Sequence, residues 1–284
     1  MQKTLKTDVV IEGIGLHSGC KSVLTIKPAH IDSGIKFVRK DLSENNEFPA
    51  LYKFVVDTRN CTCLGNFDKQ IVSTIEHIMA SLYAFGIDNA VIEVNNPEVP
   101  IMDGSADVFC KILSEAETVD LPAKRKFLKI KKSIKFDDGK GNFVMLEPAE
   151  SLQVHFEIDF PSKIVGHQKF DKVITKDEFV KNIAPARTFC EKYQVDYLKS
   201  IGLIKGGSLD NAVVLDGDKI LNNGGFRMDN ECVVHKALDC IGDMYTSGYR
   251  LLAKVTAFHS GHFHNNEVLK LVFADENNYE IVEE

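Results

Sequence analysis

The stretch NECVVHKALDCIGDMYTSGYRLLAKVT (230–256) decides the fold. It reads as a helix over Asn230–Ser247, a stop at Gly248 and an apolar strand over Tyr249–Thr256. Val234, Leu238 and Ile241 form the apolar stripe of the helix. His235 and Asp239 are four residues apart, hence one turn apart on one face, and Asp243 extends that face by another turn. A second stretch, IVSTIEHIMASLYAFGIDNAVIEV (71–94), repeats the order. It predicts a His-bearing helix over Val72–Phe85, a turn at Gly86–Asn89 and a strand over Ala90–Val94. The parallel hints at an internal duplication.

Further outward, strands are expected at Thr4–Ile11, Ser22–Lys27 and Ile35–Arg39 in the first half. In the second half FLKIKKSIKF, NFVMLEPA and LQVHFEIDF read as strands, and Lys176–Asn182 as a short helix. The Pro122-bearing segment Glu117–Lys126 is the linker candidate. The chain thus reads as two halves joined through this segment. The lysines from Lys124 to Lys135 read first as a solvated strand face and second as an anion contact.

The bulk numbers narrow the function. A net charge of -7 over 284 residues argues against nucleic acid as the main partner. No apolar run approaches the roughly 18 residues of a spanning helix. MQKTLKTDVVIEG lacks a signal-peptide core, so a cytoplasmic protein is expected. Seven cysteines do not suggest a disulfide framework, and Cys61 and Cys63 read as buried reduced thiols near a strand end, one of them close to the site.

His235 and Asp239 suit a divalent ion such as zinc. Glu76 has two readings: it closes a capping box with Ser73, or it acts as base beside a metal ligand His77. The stretch Phe258–Asn266 holds His259, His262 and His264, any of which suits a general acid. Lys236 reads as a surface lysine or a phosphate contact. The Thr188 hydroxyl reads as an oxyanion donor, although ARTF and PIMDGSA also read as structural turns.

Taken in order, the motifs resemble the UDP-3-O-acyl-N-acetylglucosamine deacetylase family, which commits a sugar nucleotide to lipid A synthesis in Gram-negative bacteria. The matching strings are GIGLHSG (13–19), CTCL (61–64), STIEH (73–77), GIDNAVIEV (86–94) and PEVPIMDGSA (97–106). They continue with ARTF (186–189), GGS (206–208), HKALDCIGD (235–243) and SGH (260–262). The resemblance implies an α+β fold of two domains of similar topology, 1–121 and 122–284, each a β-sheet layered with α-helices and each with a small insert, and release of acetate from an acylated UDP-sugar at a site between them. It implies Zn2+, with Fe2+ an alternative in the cell, on His77, His235 and Asp239. Glu76 would be the base, His262 the acid with Asp243 as its partner, and Thr188 the oxyanion donor. Lys236, Phe160, Phe189 and Ser208 would contact substrate. An insert at about 190–215, with Val195, Leu198 and Ile204, would form an acyl tunnel. His17 would be a secondary metal position. Glu191 and Gln194 depart from residues some members carry. A monomer with at most transient membrane association is expected. Two competing readings are a different zinc amidohydrolase such as a peptidase, and a non-catalytic binding protein with a structural metal.

Overall fold

The computed structural model describes residues 1–284 as an α+β protein built on two main sheets and a central helix pair. In the first half, strands Val9–Ile14, Lys21–Pro28, Ala90–Val94, Ile35–Arg39 and Glu47–Pro49 lie in that order. Ala90–Val94 and Ile35–Arg39 are parallel, and the other pairs are antiparallel. In the second half, Arg250–Phe258 is the spine of a seven-stranded sheet. Its nine residues pair with Phe143–Pro148 on one edge; Lys126–Ile130 and Gln153–Asp159 share the other. Three-stranded sheets accompany both halves: Val55–Asp57 with Cys63–Gly65 and Ile71–Val72, and Phe189–Glu191 with Val213–Asp216 and Lys219–Ile220.

Six helices complete the chain: α1 (Glu76–Phe85), α2 (Asp107–Glu115), the single turn α3 (Lys176–Glu178), α4 (Lys192–Ser200), α5 (Glu231–Tyr245) and α6 (His262–Phe273). None is long and apolar enough to cross a membrane. Every residue of α1 is buried, which requires α1 to be sandwiched rather than amphipathic. It packs directly on α5. Gly242 makes that crossing tight, because a Cβ there would lie 2.0 Å from the Glu76 carbonyl oxygen. One cluster of 61 buried apolar residues runs through both sheets, so the halves share a continuous core.

Several expectations are corrected. The first helix starts at Glu76, not Val72, because Ile71–Val72 is a strand and Ser73 bridges Glu98. The expected strand Thr4–Ile11 breaks into Lys3–Leu5 and Val9–Ile14. FLKIKKSIKF likewise divides into Lys126–Ile130 and Ile134–Asp137. The Glu117–Lys126 segment contains a strand of its own, Thr118–Asp120, which pairs with Lys3–Leu5. The basic stretch Lys124–Lys135 is largely a paired surface: Lys126 with Asp32, Lys129 with Glu150, Lys132 with Asp275 and Lys135 with Asp137.

Candidate metal and hydrolytic site

The α1–α5 crossing brings His77, His235 and Asp239 together, with one donor atom of each within 4.8 Å of the others. All three are buried. The His77 and His235 Nε2 atoms stand 3.4 and 3.3 Å from Asp239 Oδ1. His235 Nδ1 donates to the Ala186 carbonyl at 3.0 Å, which leaves the Nε2 lone pair facing the cluster. Asp239 Oδ1 is buried yet makes no hydrogen bond. An anionic oxygen is costly to leave bare in that way, and a cation between the three donors would satisfy it.

Protonation supports the same reading. Burial pushes His235 down to about 4, so it is neutral at pH 7, as a ligand must be. Asp239 is charged: burial opposes this, but His235, Lys236 and His77 hold its carboxyl well below the usual range. Burial lowers His77, but Asp239 and Glu76 outweigh it and raise the ring's pKa. That pull toward a proton marks a place where positive charge is favoured, and a divalent ion would supply more of it. The donor set of two imidazoles and a carboxylate fits Zn2+ or Fe2+.

Glu76 is the first residue of α1, and its carboxylate does not cap the helix. Ile75 is the N-cap position and no side chain caps it, so the capping-box reading fails. Instead Glu76 Oε2 accepts from the Thr62 N–H at 3.0 Å. Burial raises its pKa, against the pull of His262 and His77. The turn before it is strained: Thr74 adopts φ 61°, uncommon for a β-branched residue, and its hydroxyl donates to Glu98 Oε1 at 3.3 Å.

Of the three histidines near the C-terminus, only His262 meets Asp243. Its Nδ1 lies 2.8 Å from Asp243 Oδ2. Asn265 Nδ2 donates to the same oxygen at 2.8 Å, and the Thr62 hydroxyl donates to Oδ1 at 2.5 Å. Burial and the positive end of α6 both disfavour imidazolium; Asp243, then Glu76 and Asp239, overcome them and raise His262 to about 9. His259 instead accepts from Asp159 N through Nε2, and His264 lies toward Asp138.

Lys236 does not point away. Its ammonium reaches Asp239 Oδ2 at 3.4 Å, close to Gly261. Thr188 is half-buried two residues past the Ala186 anchor. Its N–H donates to Gly104 O at 2.8 Å, so the PIMDGSA turn holds the ARTF segment in place. Phe160 and Phe189 meet edge to face, with ring centroids 5.7 Å apart. Val195 and Leu198 are half-buried on α4, and Ile204 is buried just beyond it. Ser208 is exposed, and its hydroxyl accepts from Asp210 N in a local turn. The departures Glu191 and Gln194 pin the start of α4, with Glu191 N donating to Gln194 Oε1 at 2.9 Å.

His17 lies outside the ligand trio. Both its ring nitrogens are buried without partners, while Glu98 accepts from the His17 and Ser18 N–H groups. Gly206 N and Lys205 N donate to Leu16 O and His17 O, so the GGS and GIGLHSG segments join the halves. The sequence reading missed Thr62, Asn265, Glu98 and the Ala186 carbonyl. Only Thr62 had a signal, its place between Cys61 and Cys63. All seven cysteines are free, and Cys63 is buried with its thiol pushed up to about 12.

Comparison with known proteins agrees with this geometry. A family model described as LpxC, UDP-3-O-acyl N-acetylglycosamine deacetylase, matches residues 2–274. The chain is 41% identical over 283 residues to the UDP-3-O-acyl-N-acetylglucosamine deacetylase of Actinobacillus pleuropneumoniae serotype 3, covering 99% of this chain and 92% of that one. It is 44% identical over 286 residues to the protein of that name from Haemophilus ducreyi, covering 99% and 92%. It is 44% identical over 283 residues to the one from Teredinibacter turnerae, covering 99% and 93%. The chain therefore belongs to the UDP-3-O-acyl N-acetylglycosamine deacetylase family, hydrolases of an amide bond.

Proposed function

We propose that this chain removes the N-acetyl group from a UDP-3-O-acyl-N-acetylglucosamine, releasing acetate for lipid A synthesis, with Zn2+ held by His77, His235 and Asp239. The observation that carries the reading is the bare, buried Asp239 Oδ1 facing two imidazoles, with an acid and a base next to it. When bound, the ion supplies Lewis-acid polarisation of the amide carbonyl and acidifies water. Fe2+ fits the same ligands.

The chain's own groups do the rest. Glu76 has one carboxylate oxygen fixed by Thr62 N, so the other is available to take a proton from the attacking water. His262, held protonated by Asp243, gives its proton to the leaving amine, which cannot depart as an anion. Thr188 would donate to the oxyanion. Lys236 would neutralise substrate charge next to Asp239. Phe160 and Phe189 would line the sugar cleft, Ser208 its far rim, and Val195, Leu198 and Ile204 the acyl channel. His17 would be a secondary cation position.

In this proposal the division between the domains falls after residue 121, and the chain acts as a cytoplasmic monomer on a small molecule, with no nucleic-acid partner. The test is acetate release from the acylated sugar nucleotide by metal-analysed protein. Acetate release proportional to bound metal supports the reading. No release at full metal content would overturn it and reopen the peptidase and binding-protein alternatives.

A further inference from the structure

Thr62 is the one residue that touches both the base and the support of the acid. It stands between Cys61, in a bend, and Cys63, the first residue of the strand Cys63–Gly65. It is 3% exposed. Its N–H donates to Glu76 Oε2 at 3.0 Å, and its carbonyl accepts from Ile75 N at 3.4 Å. Its hydroxyl donates to Asp243 Oδ1 at 2.5 Å, across 181 residues of sequence. The residue thus sits where the start of α1 meets the last turn of α5.

We propose that Thr62 is a positioning residue for the hydrolysis: its backbone fixes the Glu76 carboxylate and its hydroxyl fixes the Asp243 carboxylate that orients His262. The inference rests on the deacetylase reading of the site.

The geometry gives the reason. A carboxylate turns about its last bond, and the oxygen that serves the chemistry is set by what holds the other. Asp243 has two oxygens to satisfy. Oδ2 takes His262 and Asn265. Oδ1 has Thr62 as its side-chain partner, a single hydroxyl whose one proton is committed there. Without that proton the buried Oδ1 would be bare, and the carboxylate would gain by turning toward another donor. His262 would lose its orientation as a result. The Glu76 contact runs through a backbone N–H, so side-chain exchange preserves it. Substitutions at Thr62 therefore address the acid half of the machinery separately from the base half. Neither contact involves His77, His235 or Asp239, so metal content is expected to stay constant.

The experiment compares Thr62→Val, which keeps the shape and loses the hydroxyl, with Thr62→Ser, which keeps the hydroxyl. A buried hydrogen bond to a charged group corresponds to about 10- to 100-fold in rate. Thr62→Val is expected to lower kcat by that factor, with KM and metal content unchanged, and Thr62→Ser to restore most of the rate. If the valine variant does not fold, Thr62→Ala against Thr62→Ser gives the same comparison. A second test adds Thr62→Val to Asp243→Asn. Because Thr62 acts through Asp243, the double variant should be no slower than Asp243→Asn alone. Wild-type kcat in the folded hydroxyl-less variant, a serine variant as slow as it, or multiplicative loss in the double variant would each overturn the proposal. Those results differ from a wild-type protein that releases no acetate, which overturns the deacetylase reading itself.

Discussion

At the scale of single residues, the proposed roles separate holding a metal from moving protons. Glu76→Gln preserves size and the Thr62 contact but cannot accept a proton. It should retain metal by elemental analysis and lose about 10²–10⁴-fold in turnover. His77→Ala, His235→Ala and Asp239→Ala should instead lose metal, because each removes one of only three clustered donors. Full metal occupancy in any of the three would contradict its assignment. For the acid, the sign follows from the raised pKa. His262 is protonated below about 9, so activity that needs its proton is present at neutral pH and falls as pH rises through that value. A divalent ion nearby opposes the imidazolium, which places the limb at or below about 9. Asp243→Asn removes the charge that raises it, so the basic limb of kcat/KM should move to lower pH, with reduced turnover. An unmoved limb would detach Asp243 from the acid's titration.

At the scale of elements, the α1–α5 crossing makes the site, and here the sequence was only partly legible. The i, i+4 spacing of His235, Asp239 and Asp243 places them on one face whatever surrounds the helix, so that stripe could be read directly. The start of α1 could not. Ser73 and Thr74 have the chemistry of helix caps, but Ser73 is held in a bridge to Glu98 and Thr74 in a left-handed turn. Tertiary contacts overrode local preference, and the helix begins at Glu76 itself. Ranking three nearby histidines was also beyond the sequence, because the choice depends on which ring reaches a carboxylate on another helix. Gly242 looked unremarkable in the motif and is decisive in space. In an open helix Gly→Ala would stabilise by about 1 kcal/mol. Here the added Cβ meets backbone at 2.0 and 3.2 Å, and overpacking costs about 1–3 kcal/mol. Gly242→Ala should therefore lower the denaturation midpoint and slow turnover together, as α1 and α5 part. A midpoint at or above wild type would show that the helices yield without cost.

At the scale of the whole molecule, the two halves would contribute different parts to the proposed reaction. The first half supplies Glu76 and His77, the second supplies His235, Asp239, Asp243 and His262, and the α4 insert of the second half rests on the GIGLHSG loop of the first. That insert carries unusual surface. Tyr193, Tyr197, Ile201 and Leu209 are 71%, 63%, 52% and 46% exposed, the first three at four-residue spacing along or just beyond α4. Val195 and Leu198 are half-buried there, and Phe189, against Phe160, leads into the same helix. Apolar groups this exposed in one segment mark a binding surface, and the proposed occupant is the substrate's acyl chain. The consequence is measurable with two hydroxamates that share a metal-chelating head, one bearing a long acyl tail and one bearing none. Burying four methylenes at about 0.8 kcal/mol each adds about 3 kcal/mol, which is more than a 100-fold gain in affinity. The tailed compound should inhibit by at least that factor more strongly, and Leu198→Asp should erase much of the difference while leaving the tailless compound's potency unchanged. Equal potency of the two hydroxamates on the wild-type chain would remove the acyl channel from the proposal and leave a metal amidohydrolase that does not measure the chain of its substrate.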